Sequence, residues 1–169
     1  MVTLYVMIGN IGSGKSTWAR EKVKSTPRTI IVNRDALRTM VGGGEYIFDK
    51  EMEPFIKHAS RGVIEEALLE EYNVIVDETN LTKAHRYELI QIVDLVVGVV
   101  GSGVRIVFVY CPENKRNIQF RSNNLRGYTP EYWQEVYDHM AEIIEPPSED
   151  EGADEIKIHT IPEEIKNEL

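Results

Sequence analysis

A glycine-rich turn, placed between an apolar run and a helical segment, constrains this chain more than any other feature. Residues 9–16, Gly-Asn-Ile-Gly-Ser-Gly-Lys-Ser, fit the pattern G-x-x-x-x-G-K-[ST] and directly follow the apolar run at residues 3–8. Glycines let the backbone fold back so that its N–H groups converge on phosphate oxygens, and the helix that follows adds the positive end of its dipole. We therefore predict a nucleotide phosphate site formed by Gly9, Gly12, Ser13, Gly14, Lys15, Ser16 and Thr17.

The chemistry of this phosphate-binding loop, or P-loop, predicts ATP and Mg²⁺ as cofactors. Lys15 is placed to neutralise the β- and γ-phosphates, and Ser16 to ligate an Mg²⁺ ion that bridges them. The alternative is a glycine-rich turn that matches by chance. The strand before the loop and the helix after it argue against that alternative.

A P-loop alone does not separate kinases, GTPase switches and mechanical ATPases. Residues 114–117, Asn-Lys-Arg-Asn, are close to the guanine-binding N-K-x-D box, but Asn117 stands where an aspartate would pair with guanine. We interpret these residues as the start of a helix. Because 169 residues leave no room for a large motor body, we predict a kinase.

The fold is predicted by strands that alternate with helices along the chain. After the first strand, β-rich runs occupy residues 29–33, 73–77, 105–110 and 155–161. Helical segments lie at about residues 15–24, 50–71, 83–93, 113–123 and 130–144, and residues 96–100 are ambiguous. This alternation requires crossovers and a parallel sheet covered on both faces. We predict an α/β, three-layer P-loop kinase fold in one domain, residues 1–169, with a central five-stranded parallel sheet and an Arg-bearing lid at about residues 113–128.

The formal net charge of −9 argues at first against a nucleic-acid partner, because phosphate backbones select basic surfaces. Six of the 28 acidic residues lie within residues 145–155, which contain no Lys or Arg, so the rest of the chain has 22 acidic residues against 19 basic ones. That balance leaves room for a local basic cleft. We interpret residues 145–155 as a solvated acidic loop.

No apolar run reaches the roughly 18 residues that a membrane span requires. The single cysteine, Cys111, has no partner for an intramolecular disulfide. We expect a cytoplasmic protein with no membrane partner, and the sequence does not determine its oligomeric state.

Polar residues at the ends of two strands indicate the acceptor side, because ligands of open parallel sheets bind beyond the carboxyl ends of the strands. Asp35 and Arg38 share one helical face, where a carboxylate can orient a hydroxyl and accept its proton while an arginine holds a phosphate. Arg34 is placed with them as an acceptor-binding residue. The alternative is that Asp35 only caps the helix and pairs with Arg38 within it.

The third strand ends in Asp77-Glu78-Thr79-Asn80. We predict that Asp77 holds a metal-bound water or supports the Ser16 region, and that Asn80 binds near the acceptor. The choice between Asp77 and Glu78 as the functional acid stays open.

Four motifs resemble, in order and spacing, the kinase domain of bacteriophage-type polynucleotide 5′-kinases: I-G-N-I-G-S-G-K-S-T-W-A-R-E, V-N-R-D-A-L-R, V-I-V-D-E-T-N-L-T-K-A-H-R and L-R-G-Y-T-P. The resemblance covers about residues 3–140 and is most specific in the first two motifs. It implies transfer of the ATP γ-phosphate to the 5′-hydroxyl of a DNA or RNA end. In this family the D-x-x-R motif activates that hydroxyl and holds the acceptor's 3′-phosphate, which implies these roles for Asp35 and Arg38.

The Arg-bearing segment at residues 116–126 lies between two predicted helices, where a mobile lid can close over the triphosphate, exclude water and supply an arginine that stabilises charge on the moving phosphoryl group. Arg126 is the candidate for this role. The family's lid carries R-N-x-x-R, whereas Ser122 stands at the first position here with Arg121 beside it, so the second lid arginine is undetermined. Arg116 and Arg121 are also explained as surface helix residues. Arg86 lies where the family has an arginine, and a solvated helix face explains it equally well. No D-x-D-x-T phosphatase signature is present, and we expect a functional partnership with a ligase.

Two other functions stay open. The first keeps the kinase fold but uses a nucleoside, nucleotide or other small-molecule hydroxyl as acceptor, which the acidic net charge favours. The second is a nucleotide-dependent switch or toxin-like binding module without transfer to nucleic acid.

Overall fold

The structure is a computed structural model that describes residues 1–101, 103–113 and 125–160. The predicted helix at residues 113–123, apart from residue 113, lies outside the described residues, together with Arg116, Arg121 and most of the predicted lid. In chain order the elements are β1 Val2–Ile8, α1 Lys15–Ser25, β2 Thr29–Val32, α2 Arg34–Val41, α3 Glu53–Leu69, β3 Asn73–Val76, α4 Lys83–Val100, β4 Val104–Tyr110, α5 Pro130–Ile143, a 3₁₀ turn Glu149–Glu151 and β5 Glu155–Ile158.

The five strands form one parallel sheet in the order β2-β3-β1-β4-β5. In the centre of the sheet Leu4 lies opposite Val74 on one side and Ile106 on the other. Six of the seven residues of β1 are buried, which explains why the central strand is a nearly continuous apolar run. The predicted five-stranded parallel sheet, with its last strand at an edge, is confirmed.

Two apolar clusters cover the two faces of the sheet and produce the three layers. On one face α3 and α4 pack through Ile64, Leu68, Leu89, Ile92, Val93 and Val96. On the other face Ala19 of α1 packs against Tyr5, Met7, Ile75 and Val107. Because both faces are covered, functional side chains are restricted to the strand ends and the loops that follow them.

The ambiguous residues 96–100 belong to α4, which continues without interruption to Val100. Gly101 then ends the helix in the left-handed conformation, with φ of 68°. Of the two alternatives for these residues, a helix end or a strand, the helix is the one that forms.

The prediction of a solvated acidic loop at residues 145–155 is wrong for Glu151, whereas Glu145 and Asp154 are exposed and accept backbone N–H groups. A Glu145 carboxylate oxygen accepts the Lys83 backbone N–H at 2.6 Å, and Asp154 accepts the Ile106 N–H at 2.7 Å. Glu151 pairs with Arg86, whose side chain is 0% exposed. The solvated helix face predicted for Arg86 is therefore also wrong, since a fully buried guanidinium requires a partner.

In the described part of the chain, no helix is long and apolar enough to cross a membrane.

Candidate active site

The P-loop joins the end of β1 to the start of α1, and its glycines adopt conformations that other residues avoid. Gly9 has φ of 151°, and a Cβ added there would lie 2.6 Å from the Cys111 carbonyl oxygen. Its N–H donates to the Thr79 carbonyl at 3.0 Å, which ties the loop to the segment after β3. Gly14, with φ of 92°, caps the N-terminus of α1. Glycine at both positions therefore allows the turn that directs the helix N-terminus toward the site.

Lys15 is held inside this loop. Its side chain is 7% exposed, and its Nζ donates to the Asn10 carbonyl at 2.6 Å and to Ser13 Oγ at 3.2 Å. Asn10 is itself fixed, because its side-chain amide donates to Glu113 Oε1 at 2.8 Å and to the Tyr137 carbonyl at 3.0 Å. The ammonium group is thus positioned before any phosphate binds.

Ser16 and Asp77 line the same cleft, and Ser16 is exposed at the first turn of α1. Asp77 is 6% exposed; its Oδ2 accepts from Asn33 Nδ2 at 3.4 Å, whereas its Oδ1 has no hydrogen-bond partner among the described residues. A buried carboxylate oxygen without a partner is costly unless a ligand or water completes it. Ser16 as ligand and Asp77 as acceptor of a metal-bound water fit Mg²⁺. Thr17 is exposed but does not line the cleft.

Helix α2 places Asp35 and Arg38 in the cleft, as the sequence predicted. Asn33, rather than Asp35, caps this helix by accepting the Ala36 N–H at 3.1 Å, which leaves Asp35 to other contacts. One Asp35 oxygen accepts from Arg38 Nη1 at 2.6 Å and the other from Arg126 Nη1 at 2.5 Å. The structure therefore brings together three predicted residues from two parts of the chain, two on α2 and one 91 residues from Asp35.

Arg38 is fixed from its opposite side by Glu53, at the start of α3. Its Nε and Nη2 donate to the two Glu53 oxygens at 2.7 and 2.6 Å, a bidentate pair. The hydrogen bonds that Arg38 donates to Glu53 raise the pKa of Arg38, so this cation keeps its charge. The remaining Nη1 faces Asp35 and the cleft.

Asp35 stays ionised despite its partial burial. Burial by itself raises the pKa of Asp35, but the hydrogen bond and charge of Arg126, together with those of Arg38, lower it by more. The result is a pKa below its ordinary value. Desolvation by burial, with the charge of Asp35 adding to it, raises the pKa of nearby Tyr46.

Glu78 is occupied by Arg34, whose Nη2 lies 2.5 Å from Glu78 Oε2. Asp77 therefore fits the metal-side role better than Glu78, because Asp77 retains an unpartnered oxygen. Arg34 lines the cleft together with Asp35, and its acceptor-binding role stays a prediction.

Aromatic side chains line the part of the cleft opposite the P-loop, and sequence reasoning missed them. The cleft has a volume of about 350 Å³. Tyr128 and Tyr132 stack with ring centroids 4.4 Å apart, and Trp133 meets both rings edge-on. Tyr46 lies under the Arg126 guanidinium at 4.8 Å, and Phe48 under that of Arg38 at 5.5 Å.

Asn80 does not join this group. It is buried, and its side-chain amide donates to the Met7 carbonyl at 2.8 Å. Its backbone carbonyl accepts from Arg86 Nη1 at 3.0 Å, and the residue does not line the cleft. The structure places Asn80 on a second, smaller cavity between α3 and α4 and not in the cleft with Asp35, so its acceptor contact stays a prediction.

Comparison with known proteins supports the fold of this site. The sequence matches the family described as an AAA domain (AAA_33) over residues 4–147. A chain of the Pnkp1/Rnl/Hen1 RNA repair complex superposes with a TM-score of 0.60 at 22% identity, covering 83% of this chain and 44% of that one. This chain thus spans less than half the length of that relative.

Two further solved structures share the fold over nearly the whole chain. A fungal RNA kinase gives a TM-score of 0.66 at 12% identity and covers 95% of this chain and 76% of that one. The Mycobacterium tuberculosis APS kinase, in complex with AMPPNP and APS, gives 0.53 at 17% identity and covers 95% and 90%. No curated protein sequence matches the chain. The chain belongs to the AAA domain family AAA_33, and its fold is that of the P-loop kinases.

Proposed function

We propose that this protein transfers the γ-phosphate of ATP to the 5′-hydroxyl of a DNA or RNA end. The observation that carries the proposal is the position of Asp35. Its carboxylate lies in one cleft with Lys15 and Ser16 of the P-loop. The same cleft is lined by an aromatic wall, Tyr128, Tyr132 and Trp133, of the kind on which nucleobases stack.

On the donor side, the P-loop N–H groups and Lys15 bind the β- and γ-phosphates of ATP. Ser16 and, through water, Asp77 hold Mg²⁺, which when bound neutralises charge on the phosphates. These groups position the γ-phosphate for in-line attack.

On the acceptor side, Asp35 orients the 5′-hydroxyl and accepts its proton as the hydroxyl oxygen attacks the γ-phosphorus. The bond between that phosphorus and the β–γ bridging oxygen breaks, and ADP leaves. Arg38, held by Glu53, binds the acceptor's 3′-phosphate, and Arg34 lies beside it. The stacked Tyr128 and Tyr132 offer a face to a nucleobase.

Arg126 has two proposed roles, one at Asp35 and one at the transferred phosphoryl group. In the structure its Nη1 donates to Asp35 Oδ2 while Arg38 donates to Oδ1, and each carboxylate oxygen keeps a further acceptor site for a substrate hydroxyl. We infer that ATP and acceptor binding draw Arg126 from Asp35 to the transferred phosphoryl, where it stabilises charge.

The structural neighbours support a kinase that acts on nucleic acid without settling the acceptor. One belongs to an RNA repair complex and another is an RNA kinase, which agrees with a repair role beside a ligase. The APS kinase, which shares the fold over nearly its full length, supports the second candidate, a kinase of a small-molecule hydroxyl. The net charge of −9 also favours that second candidate.

One acceptor panel tests these functions. The protein is incubated with radiolabelled ATP and Mg²⁺ and with matched 5′-hydroxyl DNA, 5′-hydroxyl RNA, a mononucleoside 3′-phosphate and APS. We expect labelling of the DNA or RNA ends, and none with Asp35→Asn. Labelling of APS alone would establish the small-molecule kinase instead. ATP binding with no labelled acceptor would favour the switch module.

A further inference from the structure

A second, smaller cavity of about 80 Å³ opens on the surface between α3 and α4. Its floor is made of buried residues, among them Ser60, Ile64 and Ile92. Its rim carries the cationic and ionisable side chains Arg34, Lys57, Arg61 and His85, with the acids Glu78 and Glu88. These three cations and two acids give the rim a formal charge of +1 with His85 neutral, in a chain whose net charge is −9.

The groups of this cavity differ in how far the fold already uses them. Lys57 pairs with Glu88, with Nζ 2.7 Å from Oε2. Arg61 makes no hydrogen bond or ion pair within residues 1–101, 103–113 and 125–160, although its charge acts on Glu88. Ser60 lines the same cavity and is 4% exposed. A guanidinium and a hydroxyl thus lie in one small cavity, and both groups can donate to a phosphate oxygen.

The cavity adjoins the candidate active site. Arg34 and Glu78 line both cavities, and their ion pair forms the partition between them. An acceptor strand whose 5′-nucleotide lies at Asp35 and Arg38 has its next phosphate one nucleotide away. If the strand continues past Arg34, that phosphate approaches Ser60 and Arg61.

We infer that this cavity between α3 and α4 binds the second phosphodiester of a single-stranded acceptor, with Arg61 and Ser60 as its donors and Lys57 on its rim. The inference rests on the proposed function and extends it. A mononucleotide cannot reach this cavity, so the contact makes the enzyme favour a polymer over a single nucleotide.

The test compares two acceptors, a 5′-hydroxyl pentanucleotide and a mononucleoside 3′-phosphate, in steady-state kinetics at several salt concentrations. Arg61→Gln is expected to raise KM for the pentanucleotide about tenfold, the loss of one charge-assisted contact, with kcat unchanged. KM for the mononucleotide stays at the wild-type value. The slope of log affinity against log salt for the pentanucleotide falls by about 0.7, as for one lost phosphate contact on a single strand.

Lys24→Gln is the matched control, since it also removes one positive charge, from an exposed position near the end of α1 away from the cavity. It leaves both KM values unchanged. Ser60→Ala provides a second variant that keeps the charge and raises only the pentanucleotide KM, by a smaller factor.

Three results would overturn the inference. Arg61→Gln could leave both acceptors unaffected, or it could weaken both equally, as a general loss of packing would. Alternatively, Arg61→Gln could relieve inhibition by inorganic phosphate without changing the pentanucleotide KM, which would identify a site for free phosphate.

If the wild type labels no nucleic acid, the proposed function fails. Fluorescence anisotropy of a 5′-hydroxyl pentanucleotide then tests the cavity by itself, and binding that is independent of Arg61 overturns it.

Discussion

Arg38 and Arg86 are both buried arginines in bidentate contact with a glutamate, but their remaining donor groups contact different kinds of partner. Arg86 gives Nε and Nη2 to Glu151 and Nη1 to the carbonyls of Asn80 and Leu81, so its donor groups are used within the fold. Arg38 gives Nε and Nη2 to Glu53 but directs Nη1 to Asp35, which is 37% exposed in the cleft. A buried arginine–glutamate pair therefore does not by itself mark a functional site. The location of the third partner does.

The Arg86 pair nevertheless supports the site from below. By fixing the carbonyls of Asn80 and Leu81, it holds the segment after β3, whose Thr79 carbonyl accepts the Gly9 N–H of the P-loop. Arg86 is thus expected to act on stability, whereas the Arg38 cluster is expected to act on turnover.

The largest change in turnover is expected at Asp35, because the cleft contains a proposed proton acceptor and the Arg86 pair does not. Asp35→Asn keeps the shape of the side chain but removes the proton acceptor, so turnover with a 5′-hydroxyl acceptor should fall about 10²- to 10⁴-fold. End labelling measures the rate, and circular dichroism checks that the fold is retained. If Asp35→Asn labels ends at the wild-type rate, the base assignment is wrong.

The second effect lies in the body of the protein. Arg86→Met leaves Glu151 buried and unpaired, and we expect a loss of about 3–5 kcal/mol in the free energy of unfolding, measured by urea denaturation. Turnover per folded molecule should stay near the wild-type value.

The double variant Arg86→Met with Glu151→Leu distinguishes a buried charge from a packing defect. Because it removes both ions, it should recover much of the lost stability. Equal destabilisation in the single and double variants would show that shape, and not the ion pair, is what the fold requires.

The third effect is Arg38→Lys. A lysine keeps the charge but cannot contact Glu53 in a bidentate way while also reaching Asp35, so acceptor KM should rise about tenfold with little loss of stability. The matched control is Arg105→Lys, at an exposed ion pair with Glu155 on the far edge of the sheet, where no kinetic change is expected. If Arg38→Lys lost as much stability as Arg86→Met, Arg38 would also be required for the fold, and the proposed difference between the two arginines would be wrong.

The sequence predicted the fold and the local part of the site, but not the contacts between distant segments. The P-loop could be predicted because one continuous pattern contains all its groups. Asp35 and Arg38 could be predicted because a spacing of three residues puts both side chains on one face of a helix. Arg126 was predicted as a lid arginine, but its contact with Asp35 across 91 residues was not. Glu53 and the aromatic wall were missed because no spacing rule relates them to Asp35. Arg86 and Glu151 were interpreted as solvated because charged residues 65 apart carry no signal of pairing.

The smallest effect is the acid dependence of stability, which compares the two clusters directly. Burial by itself raises the pKa of Glu151, but hydrogen bonds from Arg86 and the Ser148 N–H outweigh it, so the net pKa is lowered, as it is at Asp35. A carboxyl whose folded-state pKa is lowered stabilises the fold above its unfolded pKa, and that contribution is lost as pH falls through the folded value. Stability should therefore decline below the ordinary glutamate value of 4.5.

Glu151 should account for more of this decline than Asp35, since its partner is fully buried, whereas Asp35 is partly exposed and its charge is screened by water. Urea unfolding at pH 3 to 7 checks this expectation in two variants. Glu151→Gln should be less stable at pH 7 but flatter in acid, while Asp35→Asn should follow the wild-type slope closely. A flatter curve for Asp35→Asn than for Glu151→Gln would reverse the assignment, because it would make the cleft carboxylate the stronger contributor to the fold.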